Sequence, residues 1–292
     1  MKKNTHLFIV DPQNSFCEVV NVRDQGTVHS GELCIAQRNT DGTIVPIAWN
    51  DMIVLGDFIK NDVENDISGI TISLDTHPYI HVSHPSWFKR IDNGLPPEPF
   101  TTLHIVKDKI VDAAGVEYTT TNPNTYNWTK KAIDFYGVHV IWPPHCLQGT
   151  PGNNVVAPLQ DALIQWTQKT GLEVQYVIKG LSPMVEQFSA IKAKLVDPND
   201  RTTELNLPLL NRLSVCDEIL FSGEALSHCV NNTITDIANV EGWFNGRELI
   251  RKVTLLRDTT SNVPGFEKMG EDFLQEMQGM GMRVTTTKEY RA

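Results

Sequence analysis

The feature that most constrains the fold is a series of short apolar runs, each ending in a charged or small residue. The runs are apolar along their whole length and do not alternate with polar residues, which is typical of strands buried on both faces of a parallel sheet. Six such strands are predicted, at residues 6–11, 69–75, 173–180, 217–223, 252–258 and 281–287.

Segments with helical periodicity lie between these runs. In residues 49–62, Met52, Leu55, Phe58 and Ile59 fall on one helical face, and residues 227–240 repeat the pattern. Strand and helix in alternation predict an α/β fold: three αβα layers around a mainly parallel sheet of about six strands. We expect residues 1–292 to form a single domain, with long insertions near 17–48, 78–127 and 197–206.

Charge and composition exclude several classes of partner. The 292 residues carry a formal net charge of −10 and show no dense basic run, which excludes a nucleic acid or an anionic membrane as the partner. No apolar run approaches the roughly 18 residues that cross a bilayer. The five cysteines are scattered and odd in number, unlike a disulfide framework. We therefore expect a cytoplasmic protein that handles a small molecule.

Four reactive side chains follow predicted strands. Asp11, Asp75 and Lys179 stand at strand ends, and Cys229 stands near the start of a helix. Because the carboxyl ends of parallel strands meet at one edge, we expect these groups to converge there. A lysine and a helix N-terminus both favour the thiolate form of cysteine, and a carboxylate can accept the thiol proton. The combination is suited to attack on a carbonyl carbon.

A second group of polar residues suggests a metal site. Asp75 and His77 are two residues apart, so on an extended segment both side chains leave the same face, and His81 and His84 follow shortly after. A carboxylate with imidazoles suits zinc, iron or manganese. Such a site needs a further ligand, and the proline-braced stretch "WPPHCLQGTPG" at 142–152 contains one candidate, His145.

Five motifs together resemble the nicotinamidases, the metal-dependent branch of the isochorismatase-like cysteine hydrolases. They are "FIVDPQNSFCE", "LDTHPYIH", "WPPHCLQGTPG", "VIKG" and "GEALSHCV", and their order and approximate spacing match the family pattern. The chain departs from that pattern at Ser15, Thr76 and Ser227, where other residue types are usual in the family. The departures and the insertions concern the rim of the pocket rather than the catalytic groups.

The resemblance implies a role for each of these residues. Asp11 would be the general base, Lys179 the stabilising lysine and Cys229 the nucleophile, with a cis peptide bond at Glu224–Ala225. Ala225 and Cys229 would form an oxyanion hole, and Phe16 and Trp142 would form the walls of the substrate pocket. Asp75, His77 and His145 would bind one divalent metal, with zinc preferred to iron or manganese. A further ligand would be His81, in preference to His84.

The implied reaction is hydrolysis of nicotinamide to nicotinic acid and ammonia through a cysteine thioester, in NAD salvage. Two alternatives stay open. One is a cysteine amidase of the same fold that acts on another small amide or a carbamoyl group. The other is a non-enzymatic binding protein stabilised by a closed metal site. The sequence leaves the oligomeric state open, a homo-oligomer included.

Overall fold

The computed structural model describes residues 3–18, 31–61 and 67–290. Within these ranges, backbone hydrogen bonds define thirteen strands, seven of them outside the central sheet. In chain order the strands are β1 (Thr5–Val10), β2 (Gln37–Arg38), β3 (Ile44–Val45), β4 (Ile67–Asp75), β5 (Phe88–Arg90), β6 (Thr102–Val106), β7 (Lys109–Asp112), β8 (Glu117–Thr120), β9 (His139–Val140), β10 (Gln175–Lys179), β11 (Glu218–Gly223), β12 (Val253–Leu256) and β13 (Arg283–Thr285).

The helices of the described residues lie mostly between the strands of the central sheet. They are α1 (Asn14–Cys17), α2 (Ile47–Asn61), α3 (Tyr126–Tyr136), α4 (Ala157–Thr170), α5 (Leu207–Ser214), α6 (Asn231–Ala238), α7 (Gly246–Lys252), α8 (Glu267–Met280) and α9 (Thr287–Tyr290), and a π-helical turn at Leu226–Val230 leads into α6. None of these helices combines the length and apolar character that crossing a membrane requires.

The central sheet has six strands in the order β10-β4-β1-β11-β12-β13, and every neighbouring pair is parallel. Each of the six strands coincides with a predicted run, although β1 begins one residue and β4 two residues before its run, so the predicted α/β sheet is confirmed. Strand β1 shows why these runs are apolar throughout, because all six of its residues are buried. Phe8 and Val10 pack into one hydrophobic cluster, whereas Leu7 and Ile9 pack into another on the opposite face.

Two helical layers cover these faces. Helices α5 to α8 contribute buried residues such as Ile234 and Phe273 to the cluster around Phe8. Helices α2 and α4 contribute Met52 and Trp166, among others, to the cluster around Leu7. The predicted apolar face of α2 is buried, and so is that of α6. The three-layer αβα arrangement follows.

The stretch predicted as an insertion over residues 78–127 folds as part of a second sheet. Strands β5 to β9 form an antiparallel sheet in the order β5-β8-β7-β6-β9, with its own hydrophobic cluster of Trp87, Phe88, Leu103 and neighbouring residues. Of the stretch at 17–48, residues 19–30 lie outside the described residues, and 37–45 contain the paired strands β2 and β3. Residues 197–206 include a 3₁₀ turn at Arg201–Thr203.

The junction between β1 and β11 depends on a glycine at the end of β11. Gly223 pairs with Val10 in the parallel ladder and has φ of +110°, and a Cβ atom added there would lie 2.0 Å from the carbonyl oxygen of Val10. A side chain at this position would therefore displace backbone, which cannot move without disturbing the ladder.

We predict that Gly223→Ala destabilises the protein far more than Gly94→Ala, measured by urea unfolding. Both glycines have positive φ, but a Cβ atom on Gly94 meets no atom within 4 Å. The control should therefore cost only the conformational strain of about 1 kcal/mol. Equal losses in the two variants would contradict the steric argument.

Candidate active site

The carboxyl ends of the central strands bring the predicted reactive groups together. Lys179 pairs with Asp75 where β10 and β4 end, and Asp11 directly follows the neighbouring strand β1. Cys229 lies on the π-helical turn that follows β11. All four residues are buried. The predicted convergence is present in the structure.

Lys179 connects the other three side chains. Its Nζ atom lies 2.9 Å from Asp11 Oδ2, 3.0 Å from Asp75 Oδ1 and 3.6 Å from Cys229 Sγ. It also donates to the carbonyl oxygen of Gln187, at 3.2 Å. Burial acts to lower the pKa of Lys179, but the two carboxylates outweigh it and hold that pKa well above its usual value. The ammonium group is thus a permanent positive charge inside the site.

The same charges set the resting state of the thiol. Burial raises the pKa of Cys229, Lys179 lowers it and the carboxylates of Asp11 and Asp75 raise it, so that the pKa lies well above its usual value. The lysine acts in the predicted direction, toward the thiolate, but burial and the two carboxylates outweigh it. Burial also raises the pKa of Asp11, which Lys179 and a 2.7 Å hydrogen bond from Ser73 Oγ partly offset.

Asp75, His77 and His145 form a second cluster beside Lys179. Asp75 Oδ2 lies 2.8 Å from His77 Nε2 and 3.4 Å from His145 Nε2. Among the described residues, these three form the group of ligand atoms that lie within 4.8 Å of one another. His77 Nδ1 faces the carbonyl oxygen of Gly180 at 3.0 Å, and His145 Nδ1 faces the carbonyl oxygen of Pro143 at 2.9 Å.

This donor set fits a divalent cation. When each Nδ1–H donates to a carbonyl oxygen, the lone pair of each Nε2 faces the carboxylate oxygen of Asp75, an arrangement that needs a proton or a cation between the atoms. One carboxylate and two imidazoles match zinc, iron or manganese equally well. The predicted ligands Asp75, His77 and His145 are therefore the residues that could hold the metal.

His81 and His84 stack close to this cluster. The ring centroids of His77 and His81 are 4.3 Å apart, and those of His84 and His145 are 5.3 Å apart. His81 Nδ1 accepts a hydrogen bond from the Ser83 amide, whereas His84 Nδ1 faces the carbonyl oxygen of Tyr79. Both Nε2 atoms are buried without a hydrogen-bond partner. Whether His81 completes the metal site stays a prediction.

A cavity of about 50 Å³ lies between the thiol and the candidate metal ligands. The predicted wall residues Phe16 and Trp142 both line it, together with Asp75, His145 and Cys229. Ala225 also borders it, and the Glu224–Ala225 peptide bond is cis as predicted. The cavity is further lined by residues that sequence analysis missed: Leu33, Ile35, Glu186, Phe188, His228 and Val263. Of these six residues, only His228 lies next to a residue with an assigned role, Cys229 in the motif "GEALSHCV".

Two residues that received no role from the sequence hold the ligand-bearing segments. The side chain of Gln13 accepts from the Asp75 amide at 2.8 Å and donates to the Asp75 carbonyl oxygen at 2.7 Å. Ser15 Oγ accepts a hydrogen bond from the Cys146 amide and donates to Glu32. Cys146 itself packs in a hydrophobic cluster. The departure at Ser15 thus has a structural function.

We predict that Lys179→Met lowers the free energy of unfolding by about 3–5 kcal/mol, because it leaves two buried carboxylates without their cation. Urea unfolding measures the change. The exposed pair Lys268–Asp272 provides the control, and Lys268→Met should change stability little. Adding Asp11→Asn to Lys179→Met should recover part of the loss. A Lys179→Met protein as stable as the wild type would contradict the electrostatic role.

We predict that Gly180→Ala weakens zinc binding by about 10-fold or more, measured by competition with a chromophoric chelator. A Cβ atom on Gly180 would lie 2.6 Å from His77 Cε1 and 2.7 Å from Asp75 Oδ1. Gly149→Ala is the matched control, since Gly149 also has positive φ but meets no atom within 4 Å. Equal zinc affinities in both variants would rule out this packing constraint.

Comparison with known proteins agrees with this geometry. No family model matches the chain. The chain is 23% identical to the nicotinamidase of Saccharomyces cerevisiae over 226 residues, which span 77% of this chain and 83% of the yeast protein.

Solved structures show the same architecture. The crystal structure of yeast nicotinamidase bound to the inhibitor nicotinaldehyde matches 97% of this chain and 99% of its own, with a TM-score of 0.56 and 19% identity. The nicotinamidase/pyrazinamidase structure from Acinetobacter baumanii matches 99% of each chain, with a TM-score of 0.56 and 17% identity. The resemblance predicted from the five motifs is confirmed: the chain is similar in sequence to a nicotinamidase and shares the αβα fold of the nicotinamidase structures.

Proposed function

We propose that this protein is a cysteine amidohydrolase that converts nicotinamide to nicotinic acid and ammonia. The observation that carries the proposal is the contact of Lys179 with Asp11, Asp75 and Cys229, the last two of which line a small aromatic-walled cavity. It joins a nucleophile and a base to a candidate metal cluster. The likeness to the yeast nicotinamidase supports the choice of substrate.

Acylation starts from the neutral thiol. Because the pKa of Cys229 is raised, the thiol needs a base at the moment of attack. Of the two carboxylates that contact Lys179, Asp11 is the one outside the candidate metal ligands. Asp11 takes the thiol proton as sulfur bonds to the amide carbon. The backbone N–H groups of Ala225 and Cys229 would stabilise the resulting oxyanion. Asp11 then returns the proton to nitrogen, the C–N bond breaks, and ammonia leaves a thioester on Cys229.

Deacylation uses the same groups in reverse. A water molecule gives a proton to Asp11 and attacks the thioester carbon, and the C–S bond breaks to release nicotinic acid. Asp11 returns the proton to the thiolate, which restores the resting enzyme. Lys179 stays protonated throughout and compensates the negative charge that moves between Asp11 and Cys229.

Substrate binding is assigned to the walls and the metal ligands. Phe16 and Trp142 offer aromatic surfaces to a planar ring. Asp75, His77 and His145 would hold one divalent metal, and the bound metal would supply an anchor for the pyridine nitrogen. The ring nitrogen would thereby lie toward His145 and the carboxamide toward Cys229.

The metal ligands also weigh against the two alternatives. A closed structural metal site has four protein ligands and no open position, whereas the described residues bring three ligand atoms within 4.8 Å of one another. His81 as a further ligand would still leave positions open on a six-coordinate metal. A metal with an open position favours a substrate that carries a ligand atom of its own, as nicotinamide does. A cysteine amidase for another small amide remains the second candidate if nicotinamide is not hydrolysed.

We predict that the purified zinc-loaded protein releases ammonia from nicotinamide, and that Cys229→Ala and Asp11→Asn each lower kcat by at least about 10³-fold. Removing the metal with a chelator should raise KM first, because the metal anchors the ring. Intact-mass spectrometry of acid-quenched wild-type protein should detect the acyl adduct on Cys229.

Cys146→Ala is the control for this experiment, because Cys146 adjoins His145 but packs in a hydrophobic cluster. It should keep the wild-type kcat within about threefold. Undiminished ammonia release by Cys229→Ala would overturn the nucleophile assignment. Hydrolysis of other small amides with no hydrolysis of nicotinamide would select the second candidate.

A further inference from the structure

A second cavity, of about 380 Å³, adjoins the substrate cavity. The two cavities share four lining residues: Trp142, Glu186, Phe188 and His228. The outer cavity is also lined by Tyr136, Lys194, Asn231, Asn232, Phe266 and Met269. The proposed reaction uses none of these six residues.

The wall of the outer cavity next to the substrate cavity is aromatic. The ring centroid of His228 lies 5.5 Å from that of Trp142 and 4.7 Å from that of Phe266, and Trp142 and Phe266 are 6.4 Å apart. Burial lowers the pKa of His228 to about 4, so its ring is uncharged at neutral pH. Three uncharged rings thus border a space that is open beside the site of reaction, and such surfaces stack on planar apolar groups.

The polar groups of the outer cavity are mostly occupied by protein partners. Glu186 accepts hydrogen bonds from Ser83 Oγ at 2.5 Å and from the Gln187 amide at 3.2 Å. Lys194 Nζ lies 5.3 Å from the centroid of the Tyr136 ring, and Asn232 donates to the His228 carbonyl oxygen. With a carboxyl group at the junction of the two cavities, an anionic group is disfavoured there.

We propose that the outer cavity is a second subsite, which accepts an uncharged aromatic substituent on the ring of the substrate amide. This inference rests on the proposed function, since it assumes that the carboxamide faces Cys229 and the ring nitrogen faces His145. On a nicotinamide ring in that orientation, carbon 5 is para to carbon 2, which lies between the nitrogen and the carboxamide-bearing carbon. A substituent on carbon 5 therefore points away from both reactive groups. The substrate class is 5-aryl nicotinamides and similarly extended pyridine carboxamides.

The test compares nicotinamide with 5-phenylnicotinamide as substrates of the zinc-loaded protein. Wild-type kcat/KM for the extended amide should lie within about 10-fold of the value for nicotinamide or above it. Met269→Trp should fill the outer cavity and lower kcat/KM for the extended amide by about 20-fold. It should leave kcat/KM for nicotinamide within about twofold of the wild-type value, because Met269 lines only the outer of these two cavities.

Gln275→Trp is the matched control, because Gln275 is an exposed residue on the same helix, α8, and lines neither cavity. It should leave kcat/KM unchanged for both substrates. The proposal is overturned if wild-type kcat/KM for the extended amide is more than about 100-fold below that for nicotinamide. It is also overturned if Met269→Trp lowers kcat/KM equally for both substrates.

Binding to the Cys229→Ala protein, measured by calorimetry, separates this inference from the proposed function. If nicotinamide is hydrolysed and 5-phenylnicotinamide neither binds nor reacts, only the second subsite is wrong. If neither amide releases ammonia, the proposed function fails, and the subsite is then judged by binding alone. The second subsite is supported if the extended amide binds more tightly than nicotinamide and loses this advantage when Met269→Trp is added. It is overturned if the extended amide binds more weakly than nicotinamide.

Discussion

The placement of one ammonium group determines the rest of the site. Lys179 lies in a buried environment where an uncompensated charge would be costly, and it contacts the carboxylates of Asp11 and Asp75 at 2.9 Å and 3.0 Å. Each carboxylate in turn could not be buried and ionised without the lysine. The three groups therefore require one another, and the strand ends that carry them are fixed in relative position by this requirement.

The same charge separates the roles of two chemically identical side chains. Asp75 is held in the ionised form, because His77 and Lys179 together outweigh the effect of burial on its pKa. The pKa of Asp11 is raised by burial, which makes it a stronger base for the thiol of Cys229. Environment alone thus shifts the pKa values of the two aspartates in opposite directions, which suits Asp75 to hold a cation and Asp11 to accept a proton, as expected when neighbouring carboxylates experience different fields.

Sequence analysis could predict the central sheet and the convergence of Asp11, Asp75, Lys179 and Cys229, because both depend on patterns local to the chain. Continuous apolar runs identify buried strands, and parallel topology brings the residues that follow them to one edge. The antiparallel sheet of residues 88–140 was not predicted, since its strands are two to five residues long and their pairing depends on contacts distant in sequence. Glu186 and Phe188 were missed for the same reason: they belong to no motif and reach the cavity only through tertiary packing. The neutral resting thiol of Cys229 depends on burial, which no local pattern reveals.

The residues of the pocket come from two different sheets. Asp11, Lys179 and Cys229 follow strands of the central sheet, whose cores are the two large hydrophobic clusters. Trp142 instead follows β9, an edge strand of the antiparallel sheet, and its amide donates to Ser83 just ahead of β5. The Trp142 wall is thus carried by a sheet with its own hydrophobic core, whereas the Phe16 wall packs in one of the clusters of the central sheet. Mutations that repack the smaller core can therefore reshape substrate range while the catalytic charges stay in place, so that selectivity and rate are open to separate selection.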